Sequence, residues 1–308
     1  MGYAYANYIE PPLKTRVGED TVIIFVPRSY FPYDQEESRV FREQWGGWNR
    51  MGAKRMVLRP NYMLAGGNHP LDTARLATDD FAFAYTNGMF VCLHDSLSSA
   101  PWSAQAMRFY ATTRAMRDPL RGYDKARGDM LDGFGAAASA VNRYFDLVES
   151  NSRRWTFEQY RQIGMKNITN CDVGGSFRNP NAVLGDFFDE SFFTDGYAAL
   201  DEGVRLAKDD AEIVARIEFL RKGLRDTELG RRCRLAQKAG GASWDEGVKS
   251  AAFQAAFREL TDYRASVEGD CVCNYEKNAL WERWFIGWPH KERPGAAKSN
   301  ARKSTEGE

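Results

Sequence analysis

The chain has 308 residues, 43% hydrophobic and 13% aromatic, which is enough apolar matter for one large domain or two smaller ones. Its 42 basic and 42 acidic residues cancel, removing the electrostatic reason to expect a nucleic-acid or anionic-membrane partner. The apolar run Val22 to Val26 is far too short to span a bilayer, and no basic segment followed by an apolar core opens the chain, so no signal peptide is expected.

The first 120 residues alternate between strand and helix patterns. "YAYANY", Tyr3 to Tyr8, reads as a strand running into Pro11-Pro12, with Tyr3, Tyr5 and Asn7 on one face and Ala4, Ala6 and Tyr8 on the other. "TVIIFVP" is a strand covered on both faces. Ser38 to Trp48 reads as a helix ended by Gly46-Gly47 or Asn49, and "KRMVLRPN" as a third strand. A helix is expected from Leu71 to Thr86, stopped by Asn87-Gly88 in a left-handed cap. "MFVCLHD" is a fourth strand and Pro101 to Met116 another helix. Strand starts at Val22, Met56 and Met89 lie 34 and 33 residues apart, a spacing that suits parallel β/α units.

Beyond Pro119 the pattern turns helical. "DGFGAAASAVNRYFDLVES" is a helix rich in small residues, and Asn151 to Glu190 reads as irregular. Tyr197 to Leu224 is expected as one long helix with Leu200, Val204, Ala207, Ala211 and Val214 on a single face. A further helix runs from about Trp244 to Tyr263, and the aromatics of "NALWERWFIGWP" are expected to pack back on the body. Three segments result: a β/α region over 1–120, a helical region over 121–289, and a disordered tail over 290–308. The five cysteines are odd and scattered. Cys271-Val272-Cys273 lacks a second pair or a nearby His, so free thiols are expected rather than a zinc site.

Four mostly parallel strands fit either a small doubly wound sheet or half of an eight-stranded barrel. A doubly wound sheet would normally carry a Gly-rich phosphate loop after its first strand. None follows Tyr8, and no cofactor is expected. The ordered set "YANYIEPP", "GMFVCLHD", "RFYATTRAMRDP" and "MLDGFGAAASAVNRYFDLVE" resembles the C-terminal part of an uncharacterised bacterial domain family related to α-glucuronidases and β-hexosaminidases. "MRDP" stands where that family has a "Leu-Trp-Asp-Pro"-like motif, and "GFGAAA" keeps its Gly and Ala. The resemblance covers Tyr3 to Val148, and more loosely the Tyr197 to Leu224 segment.

The resemblance implies an α/β fold: strands five to eight of a TIM-type (β/α)8 barrel, followed by an all-helical C-terminal region. A half-barrel exposes two strand edges and an apolar interior. An upstream half on a longer parent, or a second copy, is therefore expected to close the sheet. Barrel active sites lie at the C-terminal ends of the strands. Those ends carry Tyr8 and Glu10, then Arg28 and Tyr30, then Arg59, Asn61 and Tyr62, then His94 and Asp95. Such a mixture suits sugars, whose hydroxyl pairs take forked partners and whose ring faces stack on aromatics.

Asp95 resembles in place the sugar-binding acid that ends the last strand of hexosaminidase-like enzymes. It is the expected catalytic residue, with a cap on the following turn as its competing role. Tyr8, Glu10, Arg28, Arg59, Asn61, Tyr62, His94 and Trp102 form the expected substrate-binding set. Within it, Arg28 and Arg59 suit a uronic carboxylate by forked hydrogen bonds or an ion pair with Glu10, Asp34 or Asp95. Asn61 stands where the family pattern places an acid, which puts catalysis by that position in doubt. Glu10, held extended before Pro11, reads more readily as a turn residue than as an acid. His94 alternates with Asp95, so the two face opposite ways, and a structural His is favoured over a general base. Trp45, Trp48 and Trp102 read more readily as core or helix-packing residues than as sugar platforms. Glycoside hydrolysis usually needs two carboxyls, and in related enzymes the acid comes from a fourth strand that these residues do not include.

The functional expectation is a carbohydrate-active protein, part of a glycoside hydrolase acting on uronic-acid- or amino-sugar-containing glycans, with an oligosaccharide or glycoside as partner. The alternative is a non-catalytic carbohydrate-binding or assembly module. A third reading has the Leu200 to Val214 face mediating dimerisation.

Overall fold

The computed structural model describes residues 1–27, 34–60, 69–94, 102–154, 156, 158, 159, 162, 184–270 and 272–289. Among them, β1 (Gly2–Ala4), β2 (Val22–Phe25), β3 (Arg55–Leu58) and β4 (Met89–Cys92) form one sheet in the order β1-β2-β3-β4. Every neighbouring pair is parallel, with Tyr3 opposite Ile24, Ile24 opposite Val57 and Val57 opposite Val91. Parallel neighbours need crossovers rather than tight hairpins. Helices α1 (Gln35–Arg50) and α2 (Ala74–Thr86) lie in the crossovers from β2 to β3 and from β3 to β4. Chain order equals spatial order, without the reversal that marks a doubly wound sheet.

Both helices cover the same face. Ala4, Ile23, Phe25, Met56 and Leu58 alternate toward them and cluster with Phe41 and Trp45 of α1 and Phe81 of α2. The Phe25 ring meets Phe41 at 5.7 Å and Trp45 at 5.6 Å, both near edge-to-face. Trp45 and Trp48 are core and packing residues, as their spacing suggests: Trp45 donates to the Asn87 carbonyl at 2.9 Å and Trp48 to the Ile9 carbonyl at 2.8 Å. On the opposite face Ile24, Val26 and Val57 are buried, while Tyr3, Val91 and Leu93 stay exposed.

Several boundaries differ from the sequence expectation. The first strand ends at Ala4. Ala6 takes a positive φ of 50° and starts a 3-10 turn, Ala6–Tyr8, so Tyr8 is not a strand end. Helix α1 starts at Gln35, where Asp34 accepts from the Glu37 N–H at 3.0 Å. It runs through Gly46-Gly47 rather than stopping there. A Cβ on Gly47 would sit 2.6 Å from Pro11 Cγ, so this glycine serves the close approach of the diproline turn. Helix α2 starts at Ala74, not Leu71, and the positive φ at its end belongs to Gly88, at 83°.

The β/α region closes with α3 (Ala106–Arg117), which starts later than the expected Pro101, and the helical region opens with α4 (Tyr123–Asp132) and α5 (Ala138–Arg153), with a 3-10 turn, Gly135–Ala137, breaking the expected single "DGFGAAAS" helix. After α6 (Leu184–Phe187), the long helix expected from Tyr197 to Leu224 is two helices, α7 (Glu190–Ala207) and α8 (Ala211–Ala239). Lys208 at φ 43° breaks the run, and Asp210 caps α8 by accepting from the Glu212 and Ile213 N–H groups. Leu200 and Ala207 lie in the main core with Val204 and Val214 packed against it. Most of that face therefore packs inward, while Ala211 is exposed. The expected Trp244 to Tyr263 helix divides into α9 (Trp244–Lys249) and α10 (Ala251–Val267), because Ser250 caps a new start.

Helix α11 (Tyr275–Ile286) ends at Gly287, φ 64°. Beyond it Trp288 packs back as expected, 5.6 Å from Phe253 and 6.0 Å from Phe257, donating to Gln237 Oε1 at 3.0 Å. Helix α11 is also pinned by charge. Arg264 of α10 is buried between Asp226 of α8, at 2.7 Å, and Glu282 of α11, at 2.9 Å. Burial opposes its charge, but the two carboxylates outweigh that and keep it protonated. No described helix is long and apolar enough to cross a membrane.

Candidate functional site

The sheet separates the expected mouth residues. Arg59 directly follows β3, its N–H bonded to the Phe25 carbonyl at 2.9 Å, and alternates with Val57 on the face away from α1 and α2. Tyr8 is 78% exposed on the turn beyond β1. Glu10 leaves the sheet altogether: it accepts from Gln44 Nε2 of α1 at 2.6 Å, ahead of Pro11 packing on Gly47. Its neighbour Ile9 is buried under Trp48, which fixes this course. Glu10 is therefore a tether to α1, and the expectation that it lines the mouth is corrected.

His94 shares the helix-facing side with Cys92. Its ring lies 6.1 Å from Phe81 of α2. Burial, and then the nearby Arg108 charge, push its pKa down to about 4, so it is neutral at pH 7. It is half-buried against α2, in keeping with a packing histidine rather than a general base. Trp102 is 41% exposed, with one flank against Phe109 at 4.7 Å. Arg28, Tyr30, Asn61, Tyr62 and Asp95 lie outside the described residues.

Burial keeps the described thiols protonated. Cys92, Cys233 and Cys273 are free, and burial pushes Cys92 and Cys273 up to about 12 and Cys233 higher still. Among the described residues no group of His, Cys, Asp and Glu could hold a metal.

A second constellation joins the two regions of the chain. Asp72 sits just before α2, where its Oδ1 accepts from the Ala74 N–H at 2.7 Å and its own N–H donates to Ser152 Oγ of α5 at 2.9 Å. The Tyr123 hydroxyl of α4 lies 3.3 Å from Asp72 Oδ2 and 3.4 Å from Glu149 Oε2 of α5. Arg127 donates to Glu149 at 2.9 Å, to Asp146 at 2.7 Å and to Tyr123 at 3.3 Å. Arg75 stacks over the Tyr123 ring at 4.4 Å, donates to Asp124 at 2.8 Å and approaches Glu149 at 3.5 Å. Arg153 pairs with Glu149 as well.

Asp72, Arg127 and Glu149 are all buried. Beside Glu149 opens a cleft of about 460 Å3, lined by Asp146, Ser150, Arg153 and Arg154. Burial pushes the Asp72 carboxyl up to about 6, against the pull of the Ala74 N–H and with help from Glu149. Burial also raises the Tyr123 hydroxyl, with Asp72 and Glu149 adding to it.

These residues escaped the sequence reading. Asp72-Thr73 ahead of an apolar run is a usable helix-start signal, but starting the helix at Leu71 hid it. Nothing local links Tyr123 with Glu149, 26 positions apart. No family model, curated protein or solved structure matches the chain.

Proposed function

We propose that the chain is the second half of a TIM-type (β/α)8 barrel, and that its mouth binds uronic-acid- or amino-sugar-containing glycans as part of a glycoside hydrolase. The observation that carries this reading is the all-parallel sheet in plain chain order with its helices on one face. The opposite face is apolar and open at both margins, at Tyr3 and at Val91 and Leu93, as the lining of an uncompleted barrel would be. The motif order from "YANYIEPP" to "MLDGFGAAASAVNRYFDLVE", which resembles glucuronidase-related domains, supports the same reading. Arg59 is the described residue that suits a uronic carboxylate, and Asp95 is the carboxylate this reading assigns to catalysis. Completion of the sheet falls to an upstream half or a second copy.

Titration with glucuronate and N-acetylglucosamine tests binding, and a panel of aryl glycosides and glucuronides tests turnover. Binding of glucuronate that falls at least tenfold in Arg59→Gln supports the assignment. Absence of binding to every sugar removes it. A second reading, a non-catalytic carbohydrate-binding module, is favoured by Glu10, whose carboxylate is committed to α1 rather than to the mouth. Binding without turnover, in a sample whose sheet is completed, would select it.

A further inference from the structure

We propose that Asp72, Tyr123 and Glu149 form a proton-operated clasp between the sheet-bearing region and the helical region, closed while Asp72 carries a proton and weakened when that proton leaves to solvent. The inference is independent of the saccharide reading.

The argument begins with a count of protons. Tyr123 has one hydroxyl proton, and two carboxylate oxygens lie against it at 3.3 and 3.4 Å. Its oxygen already accepts from Arg127. If both carboxyls are ionised, one of them faces hydroxyl lone pairs whichever way the proton points. Glu149 has cations around it, since Arg127, Arg75 and Arg153 all reach it. Among the described residues no cation pairs with Asp72: its Oδ1 takes the Ala74 N–H, and its Oδ2 meets the Tyr123 hydroxyl. A proton on Asp72 Oδ2 resolves the conflict. Asp72 then donates to Tyr123, and Tyr123 donates to Glu149. The three groups come from the segment before α2, from α4 and from α5, so this chain of donors ties the two regions together.

The charged and titratable groups facing Asp72 are Glu149 of α5, Arg127 and Tyr123 of α4, and Arg108 of α3, with Arg75 of α2 stacked on the Tyr123 ring. Arg108 and Arg127 favour the carboxylate, while burial and Glu149 oppose it, and burial is the larger effect. His69, three positions upstream, turns instead toward Phe188, 6.1 Å away. Glu149 borders the open cleft, which offers the proton a route out along the same chain.

The sign follows from linkage. A carboxyl whose folded-state pKa is raised favours folding below its unfolded value of 3.8, and that benefit is lost as pH rises through about 6. Asp72→Asn removes the titration yet keeps an acceptor for Ala74 and supplies an N–H toward Tyr123. Unfolding equilibria of the full chain and of Asp72→Asn are to be measured in urea from about pH 4 to pH 8. The ratio of wild-type to variant unfolding constants is expected to rise ~50-fold between pH 4 and pH 7 and then level off. A ratio that stays constant across that range overturns the proposal.

A carbon-13 titration of the Asp72 carboxyl in the wild type needs no variant: a midpoint near 6 supports the clasp, and one at or below ~4 overturns it. Hydrogen exchange locates the effect. Amides of residues 72–74 and of α4 are expected to lose protection between pH 5 and pH 7, beyond the intrinsic rate increase, in the wild type and not in Asp72→Asn. Equal losses in both proteins would also overturn the clasp.

Discussion

The two regions of this molecule are stabilised in different ways. The sheet region builds a one-sided core: α1 and α2 press Phe41, Trp45 and Phe81 onto alternate residues of short strands, and the other face stays open at its margins. The helical region gathers several helices around one core. Phe187, Phe188, Phe192 and Phe193 cluster together, Trp288 folds back on Phe253 and Phe257, and Arg264 is sealed between two carboxylates. The difference reflects geometry. A sheet presents two faces and its crossover helices cover one, whereas a helix pack can surround its own apolar stripes. The regions are nonetheless not independent, since Leu71 and Ala74 share the main core with α4, α5, α7 and α8.

That comparison can be broken in four ways, beginning with the largest effect. Arg264→Met removes the cation shared by the buried Asp226 and Glu282 and is expected to cost ~3–5 kcal/mol in urea denaturation. Because the core is shared, the loss should appear as one transition rather than a separate melting of the helical region, and two resolved transitions would break the comparison at its joint. Gly223→Ala would put a Cβ 2.4 Å from Ser103 Oγ and 2.6 Å from the Ala104 backbone nitrogen. With backbone on one side it is expected to cost ~1–3 kcal/mol, read as a lowered melting temperature. Trp45→Phe removes the hydrogen bond to the Asn87 carbonyl and part of the packing on Phe25, for ~1–2 kcal/mol. Phe90→Ser, at a side chain 68% exposed, is expected to change stability by no more than ~0.5 kcal/mol. A loss of several times that would mean the open face is covered in solution.

How much of this was legible can be argued from particular residues. The β-branched run Val22–Phe25 and its 34-residue spacing to Met56 carry their own evidence, and both lie in parallel strands. The course of Glu10 was not legible, because it depends on Ala6 adopting a positive φ and on Gly47 admitting Pro11. Neither is visible in a strand-like alternation. The break at Lys208 was hidden for a similar reason: heptad-like spacing continues across it, and only the Asp210 cap marks the new helix. His94 was half legible, since alternation separates it from Asp95 but does not say which of the two faces the helices.

The sequence by itself determined the parallel β/α alternation, the helical character of most described residues after it, and the balance of charge, because periodicity and composition act over neighbouring residues. Only the tertiary structure decided which residues meet. Asp72, Tyr123 and Glu149 come from three separate elements, and nothing but the packing of α4 and α5 against the start of α2 sets two carboxyls beside one hydroxyl. Contacts between distant segments depend on how apolar faces dock in space, and that docking leaves no local pattern for a chain reading to follow.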